Sequence, residues 1–516
     1  MKEVLVFIAA VLPILWLLVS LGRLKMPAHR ASILALIGCI LISATLFHMP
    51  ATGILQASME GLMLAVFPIL WVIIAAIFAY NLTVETGSME KIKNMLASVS
   101  PDRRVQGLIL AFCFGGFLEG VAGFGTAVAI PAAIMVAMGF KPMKAATVCL
   151  IANTIPVAFG VLGVPIIALA QVTGLALDRL SLYTSLQLFA LAVFLPLVLM
   201  FVITGKLASL KGVVLISVLS GLTFAVIQTL TAYFLAPELA AVAGSLLSLS
   251  VVVIYSRLSP VKTVWLFSDE NQEEKPALMK IRFAAALQAW SPYLLILVIV
   301  LAIRLLPFMD FLNAYPFVLG QQFYFGAGGK PMSFALINSS GSIVFIAAII
   351  GGLIQGATLR MLSKTFWKTI LQVKKTLVTV IAIVALAKIM GYSGMMDAIA
   401  NTLASVSGRF YPFIAPLLGA VGTFITGSDT SSNVLFGNLQ QQSALKLGMN
   451  PEWLAAANAS GATAGKMISP QSIAIAASAT GQPDSEGKML GKTILYCIVY
   501  VVLLGIIVFA FNPSTI

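Results

Sequence analysis

Charge is what this sequence has least of. Only 9% of its 516 residues are Asp, Glu, Lys or Arg, and 60% are hydrophobic, with a mean hydropathy of +1.03. Soluble domains carry roughly 25% charged residues, so a water-soluble globule is excluded and a polytopic membrane protein is indicated. Histidine is also scarce. His29 and His48 lie at loop margins, which leaves no histidine metal pair and no histidine-assisted nucleophile. Cys39, Cys113, Cys149 and Cys497 sit inside apolar runs without metal-ligand spacing and read as small core hydrophobes. No Asp-rich cluster exists to hold a diphosphate and its metal, which argues against a membrane transferase. Gly461 to Lys466 resembles a phosphate loop, but its spacing is one residue short and Met467 replaces the required Ser or Thr. No enzyme and no bound cofactor are therefore expected.

The net charge of +13 would suggest nucleic acid in a soluble protein. Here the Lys and Arg residues lie in short loops between apolar runs, where they set membrane topology, so no nucleic-acid partner is expected. Arg23, Lys25 and Arg30 follow a first span at Val4 to Leu21, which reads as retained rather than as a signal segment. The loop from His48 to Gln56 has no Lys or Arg, and the next carries Lys91, Lys93, Arg103 and Arg104. This alternation places the first and third loops in the cytoplasm and the N-terminus outside. Further spans of about 20 residues are expected at Ala145 to Ala170, Ser185 to Thr204, Gly212 to Phe234, Leu239 to Tyr255, Trp290 to Leu306, Ser340 to Thr358, Leu377 to Gly391, Trp453 to Ala479 and Thr493 to Ala510. The C-terminus then falls outside. Two halves, 1–256 and 283–516, are joined by a cytoplasmic connector, 257–282, which carries Asp269, Glu270, Glu273 and Glu274.

Two stretches do not fit simple spans. Residues 106–139 are uncharged except for Glu119 and would make a straight helix about 51 Å long. That is too long for one crossing and too short for two. A re-entrant hairpin entered from the cytoplasm and turning near Gly120 to Gly125 fits better, because bare backbone at that depth needs protein or water around it. A second hairpin at 412–448 follows an odd number of crossings and so enters from outside. Phe117-Leu118-Glu119-Gly120 aligns with Phe424-Ile425-Thr426-Gly427, and Ile151-Ala152-Asn153-Thr154 with Ala456-Ala457-Asn458-Ala459. The expected fold is an all-α polytopic membrane protein of about twelve spans plus two hairpins in inverted repeats, with the site where the interrupted segments meet.

Ser428, Asp429, Thr430, Ser431, Ser432 and Asn433 crowd hydroxyls, an amide and one acid into the second hairpin. Helix N-termini and free backbone N–H groups there suit an anion, and Gly123 and Gly125 bare the backbone of the first hairpin. A small hydroxylated carboxylate matches this set, with Lys466 as counter-ion; Lys466 pairing with Asp429 is the simpler structural alternative. Glu119 is the proton-carrier candidate, since burial disfavours its ionised form. Asp429 is the alternative carrier, or a sodium ligand. Asn153 and Asn458 are expected to brace the hairpins or touch the ligand. Lys388 is expected near the outer end with its ammonium reaching interface water. Polar residues concentrated in two stretches favour a carrier over a channel.

The run Thr426-Gly427-Ser428-Asp429-Thr430-Ser431-Ser432-Asn433-Val434-Leu435-Phe436-Gly437-Asn438, followed by Ala457-Asn458 and Gly465-Lys466-Met467-Ile468-Ser469-Pro470-Gln471, resembles the signature of the bacterial L-lactate permease family. Leu82 to Gly87, Pro101 to Arg104 and Phe117 to Thr126 resemble its other hallmarks, and the similarity spans nearly the whole chain. The resemblance implies import of L-lactate, D-lactate and glycolate with protons across the bacterial inner membrane. The proton gradient would be the driving force, and the hydroxycarboxylate and lipid bilayer the partners. A sodium-coupled carboxylate transporter of the same fold is the alternative. Val121, Ala127 and Ala459-Ser460 depart from the Ala, Pro and Thr-Thr of the pattern, which bears on substrate preference more than on class.

Overall fold

In lipid every backbone polar group needs an internal partner, and helices supply it within one segment. A computed structural model describes residues 2–513, except 23, 25, 98, 124, 260, 262–263, 268–282, 307–310, 313, 327–328, 330 and 483–484. The connector 257–282 therefore falls mostly outside the described residues.

The chain opens with α1 (Lys2–Gly22), α2 (Ala28–Thr45), and α3 (Ala51–Leu64) joined to α4 (Trp71–Glu85) through a π-helical segment kinked at Phe67. An amphipathic α5 (Ser88–Ala97) leads to the first hairpin. Its first arm is α6 (Arg103–Gly107), a π-helical stretch (Leu108–Phe114) and α7 (Gly115–Val121); its second is α8 (Thr126–Ala137). Then follow α9 (Pro142–Ala152), α10 (Gly160–Thr173), α11 (Leu177–Thr204), α12 (Val214–Phe234), α13 (Pro237–Leu258) and α14 (Phe283–Leu305). Strands β1 (Val318–Gln321) and β2 (Met332–Ala335) pair antiparallel in the loop that follows α14. The second half contains α15 (Ser340–Ile354), α16 (Leu359–Tyr392) and amphipathic α17 (Met395–Ser407). The second hairpin is α18 (Tyr411–Thr426) and α19 (Asp429–Lys446), followed by α20 (Pro451–Lys466), α21 (Pro470–Ala479) and α22 (Glu486–Ala510).

Among the described residues, ten stretches are long and apolar enough to cross a membrane. Joining helices across their breaks gives twelve rods plus two hairpins: α1, α2, α3–α4, α9–α10, α11, α12, α13, α14, α15, α16, α20–α21 and α22. The order α2, α3–α4, α5, hairpin, α9–α10, α11 recurs as α15, α16, α17, hairpin, α20–α21, α22.

The repeats are inverted, and α22 shows it. Near its start Lys492 lies within electrostatic reach of Lys144, just past the first hairpin. Near its end Phe509 stacks on Phe410 at 5.8 Å, and the Val508 carbonyl accepts from Trp453 Nε1 at 2.9 Å, both at the mouth of the second hairpin. The hairpins thus enter from opposite ends of one spanning helix. Their packing is reciprocal: α8 lies against α21, and α19 against α10.

Several expected spans differ in detail. Ala145 to Ala170 is not continuous, because Pro156, Gly160 and Pro165 interrupt it. Val161, Leu162 and Gly163 take left-handed φ values of 46°, 56° and 76°. For the two branched residues this is strained backbone, held by burial against α13, since a Cβ on Gly163 would meet the Pro237 and Glu238 backbone. Trp453 to Ala479 likewise breaks at 467–469, where Ser469-Pro470 restarts the helix. Helix α16 begins 18 residues before Leu377 because its lysine-rich first turns extend the helix beyond the apolar run. The first hairpin is pinned at its base: buried Asp102 pairs with Arg104 at 2.6 Å and accepts from the Trp265 backbone N–H at 3.0 Å.

Candidate functional site

Two hairpin tips and two helix breaks bring four half-helix starts together. Helix α8 starts from Gly125, whose φ of 87° and close approach to Ile475 of α21 require glycine. Helix α10 regains right-handed turns after Gly163. Helix α19 is capped by Ser428, whose Oγ accepts from the Ser431 N–H at 3.2 Å, and α21 by Ser469, which accepts from the Ser472 N–H at 3.2 Å. These starts present unsatisfied N–H groups and partial positive charge without additional ionised residues.

At the starts of α10, α19 and α21 lies a cavity of about 300 Å³, lined by Glu119, Gly160, Val161, Pro165, Thr426 to Ser431, Lys466 and Gln471, with the start of α8 set behind it. A water occupies about 30 Å³ of the liquid, so a three-carbon acid fits with waters to spare. The cavity reaches Pro27, Ala28, His29, Lys375, Thr376 and Thr379, toward the lysine-rich end of the bundle.

Lys466 closes α20 and is 8% exposed. Its Nζ donates to the Gly427 carbonyl at 2.8 Å, so the cation caps the C-terminus of α18. Among the described residues it forms no ion pair with Asp429, although both Asp429 and Glu119 feel its charge. Asp429, at the first position of α19, accepts from Thr423 Oγ1 at 3.0 Å through Oδ1 and leaves Oδ2 without a partner. Glu119 is buried in the last turn of α7, and its Oε2 also lacks a partner. Gly160 and Gly123 wall this carboxylate so closely that a Cβ would lie 2.7 and 3.3 Å from Oε1.

The polar residues picked out in the sequence divide into two groups. Ser428, Asp429, Thr430, Ser431, Lys466 and Glu119 share the cavity. Ser432, Asn433 and Asn458 brace it from behind. Asn433 Nδ2 donates to the Pro165 carbonyl at 3.0 Å, Asn458 Nδ2 to Asn433 Oδ1 at 3.0 Å, and Ser432 Oγ to the Gly419 carbonyl at 2.8 Å. Asn153 lies beside Glu119, yet neither of its side-chain polar atoms makes a well-aligned hydrogen bond. Gly123 and Gly125 shape the first tip; Val161 and Ile475 occupy the space their side chains would need. Lys388 has a partner that its sequence context does not announce. It is half-buried at the end away from the cavity mouth and is also ion-paired with Glu60 at 3.0 Å, because α3 supplies an acid at its level. Thr426, Gln471, Gly160 and Lys375 are cavity residues that the sequence reading did not select. The Ser-Pro restart before Gln471 was the available signal.

Inverted repeats, each contributing a hairpin and a broken helix to one buried polar cavity, define a multi-pass membrane transport protein. The architecture matches the solved structure of Neisseria gonorrhoeae MtrF, described as one of a class of antimetabolite efflux pumps, with a TM-score of 0.54, 13% identity and coverage of 96% of this chain and 97% of that one. This likeness concerns fold alone. The L-lactate permease family model matches residues 6–513. An L-lactate permease of Streptococcus iniae is 43% identical, covering 87% of this chain and 93% of that protein. An L-lactate permease of Bacillus subtilis is 36% identical over 97% and 95%, and the glycolate permease GlcA of Escherichia coli 35% over 97% and 94%. The chain belongs to the L-lactate permease family.

Proposed function

We propose that this protein is a secondary active transporter that carries L-lactate, and the related D-lactate and glycolate, together with protons. The observation that supports this most directly is the shared cavity: one buried ammonium, Lys466, faces two incompletely partnered carboxylates, Glu119 and Asp429, at the tips of opposed hairpins. Lys466 uses one hydrogen bond on Gly427 and keeps donors for a carboxylate. Thr430, Ser431 and the start of α19 offer donors for the remaining carboxylate oxygen and the 2-hydroxyl, and Gln471 faces them from α21. Glu119 takes the proton, with Asp429 as the second candidate. One anion moving with one proton carries no net charge, so the membrane potential does not oppose it.

The lysine-rich end is assigned to the cytoplasm by the positive-inside rule, with both termini outside and the protein in the bacterial inner membrane. In that orientation the cavity opens inward. Adding L-lactate to proteoliposomes is expected to acidify the lumen without generating a voltage. Uptake that requires sodium and is indifferent to a pH gradient would replace this reading with sodium coupling.

A further inference from the structure

A second polar cluster lies at the end of the bundle away from the cavity mouth. Glu60 of α3 and Lys388 of α16 form an ion pair at 3.0 Å, with side chains 3% and 13% exposed. Tyr392 donates its hydroxyl to Glu60 Oε1 at 2.8 Å, and its ring lies 5.8 Å from Lys388 Nζ. Glu60 Oε2 is buried without a partner. Lys388 also donates to the Gln171 carbonyl near the end of α10, at 3.5 Å. Tyr324, from the loop after β1, stacks on Tyr392 at 3.7 Å, and the next residue, Phe325, donates its backbone N–H to Gln56 of α3 at 3.3 Å.

The same two helices serve the cavity and this cluster. On α16, Thr379 lines the cavity and Lys388 follows nine residues later, about 14 Å along the axis. On α10, Pro165 lines the cavity and is tied to the second hairpin by Asn433, while Gln171 meets Lys388. A buried ion pair is a poor choice for stability alone, since apolar packing of equal volume serves as well or better. An incompletely partnered pair that joins α3, α16 and α10 beyond the cavity suits a contact that must break and re-form.

We propose that Glu60, Lys388 and Tyr392 form the outer gate of the transport path. While the cavity is open at the lysine-rich end, the Glu60–Lys388 pair holds α10 against α16. Loss of the Lys388–Gln171 contact lets α10, with the second hairpin bound to it, move away and expose the cavity to the other side. This inference rests on the transport reading for its direction and cargo, but not for its geometry.

The test uses full-length protein in right-side-out vesicles, with the four buried native cysteines replaced by alanine and Thr379→Cys as reporter. A membrane-impermeant maleimide added outside is expected to label the parent slowly. Glu60→Gln or Lys388→Gln should raise that rate at least about tenfold, because removing one partner penalises the closed state specifically. External half-saturation by L-lactate should fall while maximal uphill uptake drops, and Lys388→Arg should restore slow labelling. The double variant Glu60→Gln/Lys388→Gln leaves no orphaned charge to disturb folding, and it too should label fast. Parent-like labelling in a double variant that still transports would overturn the gate. Fast labelling in the variants with no L-lactate transport by the unsubstituted protein would leave the gate standing and remove the assigned substrate.

Discussion

Replacing Glu119 by Gln isolates the proton from the rest of the site. The carboxylate sits in a slot where Gly160 and Gly123 leave no spare room beside Oε1, so an isosteric amide fits where a larger side chain would not. The amide cannot take up or release a proton, and neither Lys466 nor the second hairpin is touched. In the parent, one proton per anion makes a pH difference of one unit worth about 1.36 kcal/mol, which supports roughly tenfold accumulation of L-lactate. In Glu119→Gln the anion would have to cross alone. Accumulation then falls to about onefold at zero voltage. With 100 mV, inside negative, the work on one charge is about 2.3 kcal/mol, and the anion is excluded roughly fiftyfold. Exchange of labelled for unlabelled L-lactate should continue, because it needs no net proton movement. Accumulation of labelled lactate in proteoliposomes with clamped voltage and an imposed pH gradient measures both. Tenfold accumulation in Glu119→Gln would remove Glu119 from the coupling step and transfer attention to Asp429.

Lys466→Gln removes a charge-assisted hydrogen bond to the substrate carboxylate worth about 1.5–3 kcal/mol, so half-saturation by L-lactate should rise roughly ten- to hundredfold, read from uptake kinetics. An unchanged value would place the carboxylate elsewhere. Gly125→Ala forces a Cβ into Ile475 from a left-handed backbone and should lower stability by about 1–3 kcal/mol, seen as a lower melting temperature and lost transport. Asn458→Ala removes the donor to Asn433 Oδ1 and an acceptor of Gln440 Nε2 behind the second hairpin; it should cost about 1–3 kcal/mol in thermal unfolding with little change in half-saturation per folded molecule. Asp102→Ala removes the carboxylate that pairs with buried Arg104 and should cost about 3–5 kcal/mol, with release of the first hairpin's base detected by faster proteolysis near Arg103.

Much of this architecture was legible because lipid makes polar residues conspicuous. Glu119 alone in an uncharged block of excessive length marked the first hairpin, and alternating Lys-rich loops carried the inversion, which α22 bears out through Lys492 at one end and Phe509 at the other. The two helix breaks were harder to read. Val161 and Leu162 are branched, apolar residues that composition assigns to a continuous helix, and only tertiary contact with α13 holds them left-handed. Nor does composition separate Ser431, which lines the cavity, from Ser432 next to it, which bonds to Gly419. On a helix, neighbouring residues point about 100° apart, and which one meets the ligand depends on how α19 is rotated against α10. The partner of Lys388 is hidden for a related reason: Glu60 lies over 300 residues away in sequence and announces itself only when α3 and α16 pack.

The shared anion between the hairpins is tested most directly by a structure of the protein with L-lactate bound. The carboxylate is expected within hydrogen-bonding distance of Lys466 Nζ, with the 2-hydroxyl against the tip from Ser428 to Ser431 and Glu119 facing the same cavity. L-lactate bound away from Lys466, with the cavity between the two hairpin tips filled only by water, would contradict it.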